Sequence, residues 1–410
     1  MMGAIASGVR PCRAWLIRSG LVLLLAGLVE TLGAGPAAAH AVGSGVTASN
    51  YRTSVLRISP AVPGLEVRAV DVGNQLKLVN HTGQEVTVLG YELEPYLRIG
   101  PNGVEENQRS PATFSNRSSA APQQVPREFD AKAAPVWRRI STGTVAIWHD
   151  HRAHWSGQSV PAVVRQSPGQ SHVVQPNWQV PMKIGGRTVI VSGNIVWVPG
   201  PSPWPWVAVA VLLIGAVLLA SGSSRQAQVL AVVTGLAVVT DTVHTVGAWL
   251  GSPAPILTQL YSNASSFAGW VIAGIAIQRL LSGRVEAARP YLLLAAIFLA
   301  LAGAAPDVPS LARSQVPSGL DPTLTRLAIA TTLGLGIGLA IAALLGQQLR
   351  IPALAGTPGS ARGRPRSLPG VPPGVTRARD GRRSTPSGSP SPSAQRAPKR
   401  SGASRNKKRR

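Results

Sequence analysis

The sequence predicts an α+β multidomain membrane protein, in which an extracytoplasmic β-sandwich-like domain precedes a five-helix transmembrane bundle and a disordered basic tail. Three observations predict this class. Residues 40–203 are polar and alternate short apolar runs with turn residues, which is typical of strands. Residues 204–346 hold five apolar segments, each approaching the roughly 20 residues that span a bilayer. Residues 347–410 are rich in Pro, Ser, Gly and Arg and have too few large apolar side chains to bury a core.

Residues 1–39 have the pattern of a secretory signal peptide. Arginines precede a short apolar core at 21–28, and small residues end at Ala39. Cleavage there follows the Ala-x-Ala rule and leaves His40 as the new N-terminus. A second site, after Ala41, fits the rule equally well and removes His40. Because Glu30 interrupts the apolar stretch, an uncleaved membrane anchor is the alternative.

The predicted extracytoplasmic domain is a succession of short strands. Turn signals at 80–83 and 101–103 separate the apolar runs, and an antiparallel β-sandwich is the natural class for this pattern. Residues 102–138 hold many Ser, Pro, Gln and Asn and predict a long loop. The predicted strands cover 55–58, 65–70, 75–79, 85–89, 144–149, 172–174, 188–191 and 195–198.

Charges in the connections between the apolar segments predict their orientation. Arg225 lies between the first and second segments, Arg279 lies at the end of the third, and Arg284 and Arg289 follow it before the fourth. The connection at 251–266 has no charge, and that at 306–326 balances two Arg against two Asp. The positive-inside rule therefore places the sheet domain outside the plasma membrane and the C-terminus in the cytoplasm. The predicted span cores are 206–220, 228–250, 267–281, 291–305 and 327–345.

The basic tail accounts for most of the chain's excess positive charge. Residues 351–410 contain twelve Arg and three Lys against Asp380, which is fourteen of the net +24. We expect the tail to bind membrane lipids through anionic headgroups of the inner leaflet, at about 1 kcal/mol for each basic residue near the surface. Nucleic-acid binding is the weaker alternative, because neither a folded module nor interleaved aromatic residues accompany the charge.

A histidine-rich segment supplies the sharpest chemical hypothesis. Four of the seven histidines lie in the extracytoplasmic domain beyond residue 148, and three of them, His149, His151 and His154, fall within six residues. On a strand, His149 and His151 share one face. Three imidazoles can hold zinc or copper, with Asp150 as a further ligand or as a hydrogen-bond acceptor for one ring. A polar surface turn or a hydrogen-bonded network in the core is the alternative.

His40 adds a resemblance to this hypothesis. A free N-terminal His offers its amine and ring nitrogen to one ion, a chelate that favours copper. His40 together with His149-Asp150-His151 resembles the periplasmic copper-resistance proteins of the CopC type, which begin with His and add an Asp-x-His element downstream. Here Asp150 directly precedes His151. The resemblance implies copper carriage outside the membrane.

The second predicted span carries an intramembrane polar pair. Asp241 and His244 are three residues apart, so they share a helix face. Ionisable residues inside a span are costly and face a cavity or a partner, which predicts a site that receives ions from the domain above. The segment His244-Thr-Val-Gly-Ala-Trp249 is similar to the His-containing helices of CopD-type copper-transport membrane proteins. An Asp–His hydrogen bond that only fixes helix packing is the alternative.

Several function classes lack their motifs. There is no Gly-rich phosphate loop or Gly-x-Ser-x-Gly elbow, and the single cysteine, Cys12, lies in the leader. The overall layout resembles multi-span envelope proteins of actinobacteria. The sequence thus predicts a membrane-anchored copper- or zinc-binding protein that passes the ion to its bundle. The rival is a structural or interaction protein of the cell envelope that binds a protein or glycan, and a catalytic role ranks third.

Overall fold

The computed structural model describes residues 47–117, 124–157 and 159–346. The predicted signal peptide, His40 and the basic tail lie outside the described residues. Within them, a domain of β-strands is followed by helices that are long and apolar enough to cross a membrane. The coarse order of the predicted architecture is therefore confirmed.

The sheet domain consists of two antiparallel sheets. A seven-stranded sheet has the order β1-β10-β9-β4-β5-β6-β7, and a three-stranded sheet has the order β2-β3-β8. Two short helices, α1 and α2, lie in the connections. The bounds are β1 Tyr51–Ser59, β2 Leu65–Val70, β3 Gln75–Asn80, β4 Val86–Leu89, β5 Pro95–Gly100, β6 Gly103–Asn107, α1 Pro111–Ser115, β7 Trp137–Ser141, β8 Val145–His149, α2 Ala162–Gln166, β9 His172–Ile184 and β10 Arg187–Trp197.

Both sheets contribute to one hydrophobic core. Leu76, Leu78 and Trp148 of the small sheet belong to the same buried cluster as Ile99 and Trp178 of the large one. Alternation along each strand produces this arrangement, because successive side chains point to opposite faces. The core therefore fixes which residues of β8 face inward and which face out.

Four predictions for the sheet domain were wrong. β5 was not predicted, and the strands predicted at 188–191 and 195–198 are the single strand β10. The predicted loop at 102–138 contains β6, α1 and the start of β7. β6 was missed because its Glu105 is polar, yet Glu105 pairs with Arg98 on the neighbouring strand, an opposite-charge pair that stabilises a sheet. The short strand predicted at 172–174 is the beginning of the 13-residue β9. Pro176 concealed its length, since it lies beside a register irregularity in the pairing with β10, where proline is tolerated.

Five helical segments match the five predicted spans. They are Trp204–Ser221, Gln226–Gly251, Ala264–Leu281, Val285–Leu311 and Pro322–Leu345. We label the first three α3, α4 and α6, with the short α5 (Ile256–Ser262) between α4 and α6. The fourth combines α7 (Val285–Ala296) with a π-helical turn (Ile297–Ala304) and a 3-10 turn (Ala305–Leu311), and the fifth is α8.

The fifth span, α8, lies at the centre of the bundle and is the most buried of the five. Glycines on α8 allow α3 to approach closely. A Cβ at Gly334 would lie 2.7 Å from the carbonyl oxygen of Ala210, and one at Gly338 would lie 2.8 Å from the Cβ of Val217. This small-xxx-small spacing is a usual way for helices to pack in membranes.

The segment between the fourth and fifth spans binds the sheet domain. Ser49 and Gln315 exchange two backbone hydrogen bonds of 3.0 and 2.8 Å. The backbone N–H of Ser314 donates to Asn50 Oδ1 at 2.9 Å, and its hydroxyl donates to the carbonyl of Val198 at 2.8 Å. The first strand and the end of the last strand are thereby joined to the bundle at one place.

We predict that Gly338→Leu destabilises the bundle, because the new side chain must overlap Val217. Overpacking of this kind costs about 1–3 kcal/mol. The thermal unfolding midpoint of the purified protein in detergent should fall. Gly235→Leu is the matched control, since nothing lies within 4 Å of a Cβ at Gly235. Equal midpoints for the two variants would contradict the close α3–α8 contact.

Candidate metal centre

β8 positions the histidine-rich segment. Its Trp148 points into the core and is buried, so the next residue, His149, points away from that core. The strand ends at His149, and the chain then turns, with a hydrogen bond from the Ala153 N–H to the Asp150 carbonyl. His151 and His154 therefore come back toward His149 through a turn, not along one continuous strand.

Asp150 anchors this turn. Its Oδ1 accepts from the backbone N–H and the Nε of Arg152, at 3.1 and 2.9 Å. Its Oδ2 accepts from Arg152 Nη2 at 2.8 Å and from Trp148 Nε1 at 3.0 Å. Arg152 in turn donates to the carbonyls of Leu89 and Gly90. Since both carboxylate oxygens are engaged and 1% of the residue is exposed, this geometry favours an orienting role for Asp150 over a ligand role.

The three predicted imidazole rings meet. The ring centroids of His149 and His151 are 4.5 Å apart, and those of His149 and His154 are 5.3 Å apart. His172, the fourth histidine beyond residue 148, instead bonds through Nε2 to the carbonyl of Ser167 at 2.8 Å. Spacing in the sequence thus selected the three rings that lie together.

Backbone carbonyls fix the tautomers of two rings. His149 Nδ1 lies 2.6 Å from the carbonyl oxygen of Asn74, and His151 Nε2 lies 3.0 Å from that of Ser115. Because a carbonyl only accepts, each of these nitrogens carries the proton. The remaining nitrogens, His149 Nε2 and His151 Nδ1, face each other at 3.4 Å. In the neutral rings, two lone pairs therefore converge on one point.

A strained turn presents the carbonyl that holds His149. Asp71, Val72 and Gly73 all have positive φ, at 57°, 59° and 83°, immediately before Asn74. This conformation is unfavourable for a β-branched residue such as Val72. Strain of this kind is retained where the surrounding structure fixes the backbone, and here it places the Asn74 carbonyl against the ring of His149.

Tyr91 fixes the backbone on the other side of the pair. Its hydroxyl accepts from the backbone N–H of His151 at 3.0 Å and donates to the Oδ1 of Asn116. The guanidinium of Arg152 lies 4.9 Å from the centre of the Tyr91 ring. Burial raises the pKa of the Tyr91 hydroxyl well above its usual value, so Tyr91 stays neutral. The position of His151 therefore depends on Tyr91.

The site lowers the pKa of two of its imidazoles, those of His149 and His154. Burial, and then the neighbouring His151, lower the pKa of His149 below its usual value. Burial, with His149 and His151 acting in the same direction, lowers the pKa of His154 to about 4. Both rings are therefore neutral at pH 7, which is the form that binds metals.

The donor set fits a metal ion in part. A Zn²⁺–N bond is about 2.0–2.1 Å long, so two nitrogens of a tetrahedral site lie about 3.4 Å apart, as His149 Nε2 and His151 Nδ1 do. Carbonyl acceptors on the opposite ring nitrogens are the usual outer support of such ligands. Within 47–117, 124–157 and 159–346, no group of three His, Cys, Asp or Glu side chains has metal-binding geometry. The third donor would have to come from a movement of the His154 ring.

Asp241 and His244, the polar pair predicted in the second span, bond to other residues and not to each other. His244 Nε2 bonds to Asp307 Oδ2 at 2.9 Å, and Asp241 Oδ2 accepts from Trp270 Nε1 at 2.8 Å. Asp241 and His244 are 0% and 7% exposed, so both face the interior of the bundle. The sequence places Asp307 in the connection at 306–326, but it belongs to the 3-10 end of the fourth span, because the helix continues to Leu311.

Sequence reasoning missed the residues that orient the histidines. Asn74 and Ser115 act through backbone carbonyls, which no side-chain pattern reveals. Asp307 could have been recognised in the sequence, because it is an acidic residue directly after the apolar stretch of the fourth span. Asp307 could therefore have been included in the polar centre.

Comparisons with known proteins identify no relative. No protein-family model matches the chain, and neither the curated proteins nor the solved structures include a match. Function must therefore be inferred from the geometry alone.

We predict that His154 makes the stability of the protein depend on pH. Its pKa is about 4 in the folded chain and about 6.5 when unfolded. The unfolded chain therefore binds a proton more readily, and folding stability falls as the pH decreases from about 6.5 to 4. The contribution is up to roughly 3 kcal/mol. His154→Gln should lose less stability over this range, measured by thermal unfolding of the full chain.

The effect of His154 is measured as the difference in stability between the parent and His154→Gln at each pH. Burial raises the pKa of Asp71 to about 6, so Asp71 contributes in the opposite direction between about pH 4 and 6. That contribution is common to both proteins and cancels in the difference. Parallel pH profiles would refute the role of His154.

Proposed function

We propose that the sheet domain binds one transition-metal ion, through His149 Nε2 and His151 Nδ1, with His154 as the third ligand. The observation that carries this proposal is the 3.4 Å separation of two nitrogens whose rings are held by backbone carbonyls. Two lone pairs at this distance repel unless a cation or a proton lies between them. The lowered pKa of His149 makes a proton the weaker occupant.

The geometry favours zinc over copper. Adjacent nitrogens around tetragonal Cu²⁺ are separated by about 90°, which corresponds to roughly 2.9 Å at ordinary bond lengths. The observed 3.4 Å agrees better with the wider angle of a tetrahedral ion. Copper remains the second choice, supported by the His40 chelate if the chain is cleaved after Ala39.

The chain has five helices that are long and apolar enough to cross a membrane, which indicates a membrane protein. We propose that the sheet domain faces outward and the C-terminus faces the cytoplasm. Two contacts support the proposal that successive spans cross in opposite directions. The segment after the fourth span touches the sheet domain through Ser314, and Arg289 at the start of that span lies against Gly346, which follows the fifth. The basic tail would then bind anionic headgroups of the inner leaflet.

The bundle is proposed to receive the ion. The segment that contacts the sheet domain begins directly after the fourth span, which carries Asp307 close to its end. Asp307 bonds to His244 of the second span. The proposed acceptor site on the second span is thus bonded, through Asp307, to the span whose end is attached to the sheet domain.

We predict that His149→Ala together with His151→Ala abolishes stoichiometric zinc binding by the sheet domain. The double variant loses both converging nitrogens, whereas His172→Ala, the matched control, removes a ring bonded only to Ser167. Zinc content of the full chain, measured by elemental analysis after dialysis, should decrease by one ion per chain in the double variant only. Circular dichroism should show an intact sheet.

Unchanged zinc content in the double variant would contradict this assignment. The three rings would then form a hydrogen-bonded polar network. In that case the rival function, a structural or interaction protein of the cell envelope that binds a protein or glycan, would be the better interpretation of the sheet domain.

We predict the sidedness of the spans from the Arg-bearing connections. Reporter fusions at Gly283 and near Ser401 should report the cytoplasm, and a fusion after Gly251 should report the exterior. An exterior signal from the Ser401 fusion would be incompatible with five alternating spans.

A further inference from the structure

We infer that the bundle itself contains a second site for a divalent transition-metal ion, formed by Asp241 Oδ1, His244 Nδ1 and Thr245 Oγ1, with Asp307 orienting His244. This site would be the acceptor site of the proposed function. The inference rests on that function only in taking the bound ion to be a transition metal. The coordination positions that these three atoms leave free would be filled by water.

Three unpartnered polar atoms carry this inference. Asp241 Oδ1, His244 Nδ1 and Thr245 Oγ1 are buried, and none of them has a partner with hydrogen-bond geometry among the described residues. The hydroxyl of Ser266 is a potential donor close to Asp241 Oδ1, whereas His244 Nδ1 and Thr245 Oγ1 have no such partner in the part of the chain that the structure describes. They lie on α4 at positions i, i+3 and i+4, so they share one helix face. Buried polar atoms are almost always paired. Three unpaired ones on one turn inside an apolar bundle indicate a ligand.

The partnered atoms of the same side chains show how the site is held. Asp241 Oδ2 accepts from Trp270 Nε1 at 2.8 Å, which fixes the carboxylate and directs its Oδ1 elsewhere. His244 Nε2 bonds to Asp307 Oδ2 at 2.9 Å, which leaves Nδ1 free. A histidine that donates its other nitrogen to a carboxylate is the usual arrangement for a metal ligand.

The fourth span adapts its backbone to this site. Its Gly303 lies in the π-helical turn, and a Cβ there would lie 3.0 Å from Asp241 Oδ1 and 3.4 Å from the hydroxyl oxygen of Ser266. Single π-helical turns within α-helices are frequent at functional sites. A larger residue at position 303 would occupy the space in front of the carboxylate oxygen.

The carboxylates of this centre favour a divalent cation over water alone as the occupant of the site. The centre contains two carboxylates, Asp241 and Asp307, and neither forms an ion pair with Lys or Arg within the described residues. Arg326 of the fifth span is buried. Its guanidinium donates to the carbonyls of Ser310 and Arg313 and is attracted to Asp321. Asp241 is fully buried, and a negative charge in an apolar bundle is costly unless a cation lies beside it. Asp307, whose side chain is 30% exposed, adds a second carboxylate next to His244.

The donor types select the class of ion. A carboxylate oxygen and an imidazole nitrogen suit zinc, cobalt, nickel or copper, whereas alkali and alkaline-earth ions prefer oxygen ligands alone. The sequence from 204 to 346 contains neither Cys nor Met, so the bundle offers no soft sulfur ligand for Cu⁺. The donor set therefore points to a divalent first-row ion.

The test counts Co²⁺ bound by the full chain in nanodiscs of phosphatidylcholine, which has no net charge. Asp241→Asn preserves the shape and the acceptor for Trp270, and His244→Gln removes the imidazole. Each is made in the parent and in the His149→Ala/His151→Ala background, so that the two sites are counted separately. Asp321→Asn is the matched control, because Asp321 caps a helix and Asn caps equally well.

Each membrane variant should lose one Co²⁺ per chain in both backgrounds, and Asp321→Asn should lose none. The visible absorption of bound Co²⁺ should also change when His244 is replaced, because a nitrogen ligand is lost. If the parent binds one ion and the Asp241→Asn variant keeps it, this inference fails while the proposed function stands. If that single ion disappears in Asp241→Asn and persists without His149 and His151, the inference stands and the proposed function fails.

Asp307→Asn tests the orienting role separately. In the His149→Ala/His151→Ala background, the variant should retain its one Co²⁺ at saturation but weaken the apparent affinity about 10- to 100-fold, since outer-shell partners of metal-bound histidines have effects of this size. An unchanged affinity would overturn the role of Asp307. Size-exclusion profiles identical to that of the parent verify that each variant is folded.

Discussion

Both polar centres depend on one constraint: a fixed oxygen holds one nitrogen of an imidazole ring and leaves the other nitrogen free. In the sheet domain the oxygens are the carbonyls of Asn74 and Ser115, and in the bundle the oxygen is the carboxylate of Asp307. The two centres use different kinds of oxygen because their surroundings differ. In the sheet domain, Asn74 lies in a turn and Ser115 is the last residue of α1, where the carbonyl has no partner within the helix. His244 lies within the long helix α4, whose inner carbonyls are bonded within the helix, so a side chain orients it.

The contact between the sheet domain and the bundle gives these two centres a common framework. Ser49, Asn50 and Val198 lie where the first and last strands end, and all three bond to the segment 314–315. That segment follows the fourth span, whose end carries Asp307. The sheet domain is therefore connected to the fourth span through this segment, in addition to its direct connection to the first span through residues 198–203. Two of the four hydrogen bonds are between backbone groups, and the other two use the side chains of Asn50 and Ser314.

Sequence reasoning was most successful where one physical property dominates a long segment. All five helical segments that are long and apolar enough to cross a membrane were located, because such long apolar runs are conspicuous in a sequence, and the three clustered histidines were selected by spacing alone. It failed where short elements rely on neighbours distant in the chain. β6 is stabilised by the pairing of Glu105 with Arg98, and β9 continues past Pro176 because a register irregularity accommodates it.

The sequence by itself determined the order of the parts, the positions of the spans and the residue types available for chemistry, because these follow from local composition. The tertiary structure decided which atoms of those residues remain free. It turned the carboxylate of Asp150 toward Arg152 and away from the histidines, and it brought Asp307 to His244 across 63 positions of the chain. Hydrogen bonds of this kind depend on the packing of separate elements, and no local pattern in the sequence encodes that packing.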